Sequence, residues 1–476
     1  MEVAIKNLGP IRKAKIELKP LTIFIGQNNT GKTLTASLIS AILSDYGWRE
    51  YTNAYSEGSL PETYPQLEDS IKQLLEQGEG KIDLVEFLNE YGSTYFNSVA
   101  MLSRSWAQKF FGTTYASFQN VTFNINLEYI KNDLVKNISG FEIKGQLAIS
   151  STDAALLNVI KERGSQILYF FTTKKTTELQ SSNIEYKIPQ KAIKKFIVEQ
   201  VFMLLHRALY IDSYFFPAER TDLTGIAASC EVNPIPKQTD ENTKDFTRTQ
   251  LVPLAFPISS LMERIANTRR FASLIARQKQ AEKDPWICKY LEFANILQSS
   301  VLGGRLDFSS SEPDPLRELI FEPADGKGVR LDMPVVSSMV KELSSLVLYL
   351  RYVAHHRDLL VIDEPEMHLH PEAQAKLTEF LAMLVNAELN IIITTHSPYL
   401  VDHLLNLMKA AEYRKKVEIK DKFFLRRTDA FISKDKVSVF LFDNNTAKNI
   451  KNKRGLINWE TFNRVSEQIL QLKMEF

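Results

Sequence analysis

An α/β fold organised around buried parallel strands is what this sequence predicts, and three short segments predict it. The apolar run Leu21 to Ile25 reads as a strand, the loop Gly26-Gln27-Asn28-Asn29-Thr30-Gly31-Lys32-Thr33 follows it, and a helix-like run comes next. Leu359-Leu360-Val361-Ile362 is an apolar run of the kind a strand covered on both faces needs, and it ends at Asp363-Glu364-Pro365. Leu389 to Thr394 is the third, with Thr395-His396-Ser397 at its carboxyl end.

The first loop has the residue types that a triphosphate requires. Gly26 and Gly31 let backbone N–H groups turn inward, Asn29 and Thr30 lie between them, and the following helix offers its positive end. Lys32 is then expected to reach the β- and γ-phosphates, and the Thr33 hydroxyl to be a Mg²⁺ ligand. The alternative is a glycine turn that happens to carry Lys-Thr. The strand-loop-helix setting argues against it.

The second segment adds hydrolytic chemistry. Asp363 is placed to hold the cation through its water shell, and Glu364 to orient or deprotonate an attacking water. His396 is placed to touch the γ-phosphate; a lone histidine after a strand is more often structural, but its position one helix after the acidic pair favours function. The expected ligands are therefore a nucleoside triphosphate, which the resemblance described next makes ATP, and Mg²⁺, with Glu364 and His396 catalytic.

The order of P-loop, Asp363-Glu364-Pro365-Glu366-Met367-His368-Leu369-His370-Pro371 and Thr394-Thr395-His396-Ser397-Pro398 resembles the ATP-binding-cassette class of ATPases. More narrowly it is similar to the soluble branch containing RecF, the structural-maintenance-of-chromosomes heads and the overcoming-lysogenization-defect proteins. The match is close over Leu21 to Thr33 and Leu359 to Pro398 and patchy between them. The resemblance implies a cassette-type P-loop head with an antiparallel β subdomain and an inserted helical lobe, as in AAA-family ATPases of phage defence that lack a Toprim domain.

That class also presents a signature helix start to the γ-phosphate of a second subunit, which implies a homodimer or higher homo-oligomer through the heads. The best candidate is Ser337-Ser338-Met339-Val340-Lys341-Glu342-Leu343, because serine hydroxyls and free N–H groups at a helix start suit an oxyanion. Met339 stands where the class usually has glycine, and bulk there is expected to hinder close backbone approach. An ordinary serine cap is the other reading. Tyr214 to Arg220 resembles a core strand ending in the Pro-Ala-Glu-Arg element of these ATPases. Glu219 or Arg220 is a candidate sensor of Mg²⁺ and water, with a salt-bridged strand end equally open.

Composition excludes several classes. With 58 basic and 57 acidic side chains the net charge is +1, so a nucleic-acid site has to be a local patch. Cys230 and Cys288 are too few for a disulfide framework and lack metal-ligand spacing. Met1 to Leu18 reads as strands rather than a signal peptide, and no apolar run is long enough to span a bilayer, so a cytoplasmic protein with no membrane association is expected.

A chain of 476 residues predicts about two or three domain-sized units. Residues 1–44 supply the first strands, the P-loop and its helix. An insertion follows over 45–210, opening with Asp45 to Glu62 as an exit linker. Gln66 to Phe111 is mostly helical; Val121 to Ile130, Phe141 to Ile149 and Ile167 to Thr173 read as strands of the antiparallel sheet, and Lys191 to Leu209 as a helix. Residues 211–255 hold a core strand and a polar loop. Residues 256–303 form the helical lobe, with Ile258 to Leu302 as its helical run. Residues 304–476 return to the head through short strands at Arg305 to Phe308, Glu318 to Phe321 and Val329 to Leu331.

Two constellations favour bland readings. Glu366, His368 and His370 have a metal-like grouping, but the resemblance makes this stretch a loop that crosses to the partner subunit. The basic cluster Arg414-Lys415-Lys416, Lys420, Lys422, Arg426, Arg427, Lys448, Lys451, Lys453 and Arg454 is suited to phosphate backbones, yet acidic residues are interspersed, as on solvated strands. No Asp-x-Asp pair follows Pro398, so a built-in Toprim nuclease is not expected. The leading function is an ATPase that senses or scaffolds in phage defence or DNA metabolism, with a separate effector protein such as a nuclease or toxin. The alternative is a DNA repair ATPase acting directly on DNA. A transporter subunit is weakest, because Lys32 and Asp363 lie about 330 residues apart.

Overall fold

The computed structural model describes residues 1–147, 157–172, 190–218, 274–310, 318–326, 328–452 and 454–457, with 468, 471, 472 and 474. These fall into two compact units. One comprises Met1–Lys6, Ile39–Ser105 and Phe118–Ser213; the other comprises Asn7–Leu38, Trp106–Ser117 and Tyr214–Phe476.

The second unit is built on a six-stranded sheet in the order Thr446–Asn449, Val437–Asp443, Leu21–Gly26, Asn390–Thr395, Leu359–Asp363, Ser213–Phe216. Every residue of Leu21–Gly26 and Leu359–Asp363 is buried, as continuous apolar runs demand of strands covered on both faces. Leu21–Gly26, Asn390–Thr395 and Leu359–Asp363 run parallel. Their register sets Asp363 beside Thr394 and Thr395 beside Ile25, so the polar tips align at one edge. Ligands of open α/β sheets bind at that carboxyl edge.

Val437–Asp443, which lies in the sequence between the two parts of the basic cluster, is a largely buried core strand parallel to Leu21–Gly26. It turns into Thr446–Asn449 through Asn444 and Asn445, both at positive φ, which suits a tight hairpin. The three short strands expected after residue 303 form an antiparallel sheet of Gly304–Phe308, Leu319–Pro323 and Leu331–Asp332.

The expected helical lobe is described from residue 274 on. Pro285–Ile296 and the π-helical turn Leu297–Leu302 bury Tyr290, Phe293, Leu297 and Val301 in the same core as Ile23, Leu360 and Ile393. The Tyr290 hydroxyl donates to the Ala387 carbonyl at 2.9 Å. This stretch therefore builds the core of the unit. Residues 258–273 lie outside the described residues.

The first unit differs from expectation at its entry. Asp45 to Glu62 is no linker: Asp45–Ser56 is a helix, capped by Ser44 accepting from the Tyr46 N–H at 3.2 Å. Its buried residues Trp48, Tyr51, Thr52 and Tyr55 recur at helical spacing, so a segment of turn-like composition is fixed by an aromatic face. Pro65–Gln77 and Leu84–Phe110 are helices as expected, but Glu79–Asp83 between them is a strand.

That strand edges a four-stranded antiparallel sheet in the order Glu79–Asp83, Ile167–Thr172, Leu157–Lys161, Ile143–Leu147. The strand expected over Val121 to Ile130 does not join it. Thr122–Asn126 pairs with Glu2–Leu8, and the Asn126 side chain ends it by accepting from the Glu128 N–H at 2.9 Å. The helix Lys131–Gly140 follows soon after.

Aromatic packing holds the helices of this unit. Phe202 on Gln190–Leu209 stacks on Tyr95 with ring centroids 4.5 Å apart and meets Tyr51 edge-on at 5.3 Å.

Candidate functional site

The loop after Leu21–Gly26 enters the helix Lys32–Leu43. Gly26 is required by close approach: at φ +142°, a Cβ there would lie 2.3 Å from the Phe442 carbonyl oxygen. Gly31, at φ +93°, has Pro10 Cγ 3.0 Å from where a Cβ would stand. Asn29 takes a positive φ of 62°, and the Thr30 hydroxyl braces the loop by donating to the Gln27 carbonyl at 2.8 Å.

Lys32 is 5% exposed, and its Nζ donates to the carbonyls of Gly26 at 3.0 Å and Gln27 at 2.7 Å. Burial pulls its pKa below the usual lysine range, against the opposing pull of Glu364, Asp363 and Glu366. Thr33 Oγ1 donates to Asp363 Oδ1 at 2.8 Å, and the Thr394 hydroxyl donates to the same oxygen. The Glu364 backbone N–H meets the carbonyl and the hydroxyl of Thr394, both at 3.1 Å, and holds Glu364 at φ 44°. Glu364 Oε1 lies 3.3 Å from His396 Nε2.

These groups line one cleft of about 500 Å³, with Asn29, Thr30, Lys32, Thr33, Glu364 and His396 on its walls. The structure thus brings together the P-loop, Glu364 and His396, with Asp363 bonded to Thr33. Ser337 and Ser338 do not line this cleft. Ser337 caps the helix Ser338–Tyr352 by accepting from the Val340 N–H at 3.4 Å. Met339, half-buried in the first turn of that helix, packs against the core of its own unit.

Glu366, His368 and His370 do not form a cluster. His370 caps the helix Pro371–Asn386, and His368 Nδ1 lies 3.7 Å from the buried Glu342. Glu366 instead accepts from the Thr395 hydroxyl at 2.6 Å and the His396 backbone N–H at 2.8 Å. Burial raises its pKa, opposed by those hydrogen bonds. Within the basic cluster, Arg427 is engaged by Asp429 at 2.7 Å and Glu292 at 3.0 Å, and Lys415 by Glu418 at 2.8 Å. Glu219, Arg220 and Lys453 lie outside the described residues.

Pro10 on the cleft wall and Thr394 bonded to Asp363 have parts that the sequence does not suggest, and Glu366, read there only in a metal-like grouping, bonds the His396 turn. The one available signal was the Thr-Thr pair ending the apolar strand before His396. Its partners depend on strand register, which the sequence does not carry.

The model of the AAA ATPase domain matches residues 1–401, and the chain belongs to that family. Among solved structures, an Smc head bound to the C-terminal winged-helix domain of ScpA matches at 10% identity, covering 94% of this chain and 96% of that one, with a TM-score of 0.34. An Smc head with an extended coiled coil, bound to the C-terminal domain of ScpA derived from Pyrococcus furiosus, matches at 10% identity over 98% of both chains, with a TM-score of 0.33. No curated protein matches the chain. Among the described residues, no helix is long and apolar enough to cross a membrane.

Proposed function

We propose that this chain is a Mg²⁺-dependent ATP hydrolase whose nucleotide state is read by a separate effector protein. One observation carries the hydrolase reading. The 2.8 Å bond from Thr33 to Asp363 joins the phosphate loop to the acidic strand tip, in a cleft that also presents Lys32 and Glu364.

A hydroxyl and a carboxylate oxygen at that point suit a hard cation, and Thr33 and Asp363 would hold Mg²⁺. When bound with ATP, the ion neutralises charge on the phosphates. Lys32 is held at the loop by two carbonyls, so its charge faces an anion with little rearrangement. Glu364 takes the proton of the attacking water, and His396 orients that carboxylate from 3.3 Å.

The reading extends to two heads facing each other, each lending Ser337 and Ser338 to the other's nucleotide. Support comes from their place at the start of a helix of 15 residues, away from the cleft of their own chain. The head split by residues 45–210 is the organisation we assign. Resemblance to the overcoming-lysogenization-defect class supports a cytoplasmic role as sensor or scaffold in phage defence or DNA metabolism. Hydrolysis stimulated by DNA without any protein partner would favour direct DNA repair instead.

Mixing tests the geometry. Lys32→Ala and Ser338→Arg proteins, each inactive alone, are expected to regain Mg²⁺-dependent hydrolysis together, because a mixed dimer keeps one intact site. Two folded variants that recover nothing on mixing would contradict it.

A further inference from the structure

Glu366, three residues past the strand Leu359–Asp363, is half-buried, and the proposed chemistry gives it no part. Its Oε1 accepts two hydrogen bonds from the turn that carries His396, one from the Thr395 hydroxyl at 2.6 Å and one from the His396 backbone N–H at 2.8 Å. Its other oxygen, Oε2, is buried without a hydrogen-bond partner. An unpaired buried carboxylate oxygen is costly.

The turn itself is tied down in series. The Thr395 hydroxyl that donates to Glu366 accepts from the Ser397 N–H at 3.0 Å, and the Ser397 hydroxyl donates to Gln374 Oε1 at 2.5 Å. Gln374 Nε2 returns to the Leu369 carbonyl at 2.9 Å. The segment 366–374 thus grips 395–397 from both ends. His396 projects from the gripped turn, and Glu364, whose Oε1 lies 3.3 Å from His396 Nε2, stands two residues before Glu366. Register pairing fixes the strands only as far as Asp363 beside Thr394. Beyond it, Glu366 bonds the His396 backbone directly.

We propose that Glu366 is a positioning residue that latches the His396 turn to the acidic strand tip and so sets the Glu364–His396 pair for hydrolysis, without touching nucleotide. This rests on the hydrolase reading above. Glu366→Ala removes the latch. Glu366→Gln keeps an acceptor oxygen and buries a neutral amide in place of a charge, so it retains the latch.

Two readouts on the full chain test it: steady-state ATP hydrolysis, and hydrogen exchange of the peptide spanning residues 394–399. In Glu366→Ala, kcat is expected to fall at least about tenfold with KM little changed, since misplacement affects the transition state rather than ATP binding. The His396 amide is expected to exchange faster. Glu366→Gln should recover most of kcat and the protection. Parental kcat in Glu366→Ala, parental exchange in its 394–399 peptide, or a Glu366→Gln protein as impaired as the alanine variant would each overturn the latch. A parental protein that turns over no ATP sinks the hydrolase reading, and the positioning role with it, whatever the exchange shows.

Discussion

Around the cleft, the buried Asp363 accepts from Thr33 and Thr394, whereas in the other unit the buried hydroxyls of Tyr51 and Tyr64 pair with each other 2.6 Å apart. Asp363 and Thr394 sit at the ends of parallel strands and Thr33 at the start of the helix Lys32–Leu43, beside open space. The second is walled in by rings: Tyr95 stacks on Phe202, and its hydroxyl lies 3.1 Å from Nδ1 of the buried His206. Burial keeps these groups neutral there, raising the pKa of Tyr51 and Tyr95 and lowering that of His206 to about 4. The contrast separates two uses of buried polarity. One arrangement faces an ionic ligand, and the other fixes how helices pack.

Substitutions sharpen that contrast in order of effect. Phe202→Ala removes a ring that touches Tyr51, Tyr64, Phe87 and Tyr95, and is expected to cost about 4 kcal/mol of stability in thermal or urea unfolding. ATP affinity of the protein that remains folded should stay parental; a large loss would break the division of labour. Lys32→Ala is expected to do the reverse. It should weaken ATP binding by about 100-fold, the worth of a charge-assisted contact to phosphate, as read by calorimetry. Its unfolding midpoint should shift little.

A smaller effect depends on pH. The folded-state pKa of His206 is depressed from the ordinary 6.5 to about 4, so the unfolded chain binds the proton first as pH falls. This contribution is fully present above pH 6.5 and is lost between there and pH 4. At about pH 5 the loss is roughly 2 kcal/mol relative to neutral pH. Comparing unfolding at pH 7.5 and about 5 should therefore show a smaller drop in His206→Gln than in the parent, by that amount. Equal drops would remove the aromatic cage as the cause.

The same division explains what was legible in the sequence. Leu21–Gly26, Leu359–Asp363 and Asn390–Thr395 announce themselves because strands buried on both faces must be apolar throughout, and their tips must carry the polar residues. The helix Asp45–Ser56 was hidden because tyrosine, serine and glycine read as turn composition, while the informative signal was the spacing of its aromatic residues. Val437–Asp443 was obscured by the basic residues around it. The pairing of Thr122–Asn126 with Glu2–Leu8, and the bonds of Glu366 and Thr394, are contacts between distant segments. Local pattern specifies the segments but not their register.

In the proposed function Lys32, Thr33, Asp363 and Glu364 serve one Mg²⁺-ATP, with Glu364 acting on water rather than on binding. Steady-state hydrolysis and ATP affinity of Glu364→Gln test it most directly. The account predicts affinity within about threefold of the parent and turnover reduced by about 100-fold or more, because only the water-directing carboxylate is lost. A folded Glu364→Gln protein that hydrolyses ATP at the parental rate would contradict it.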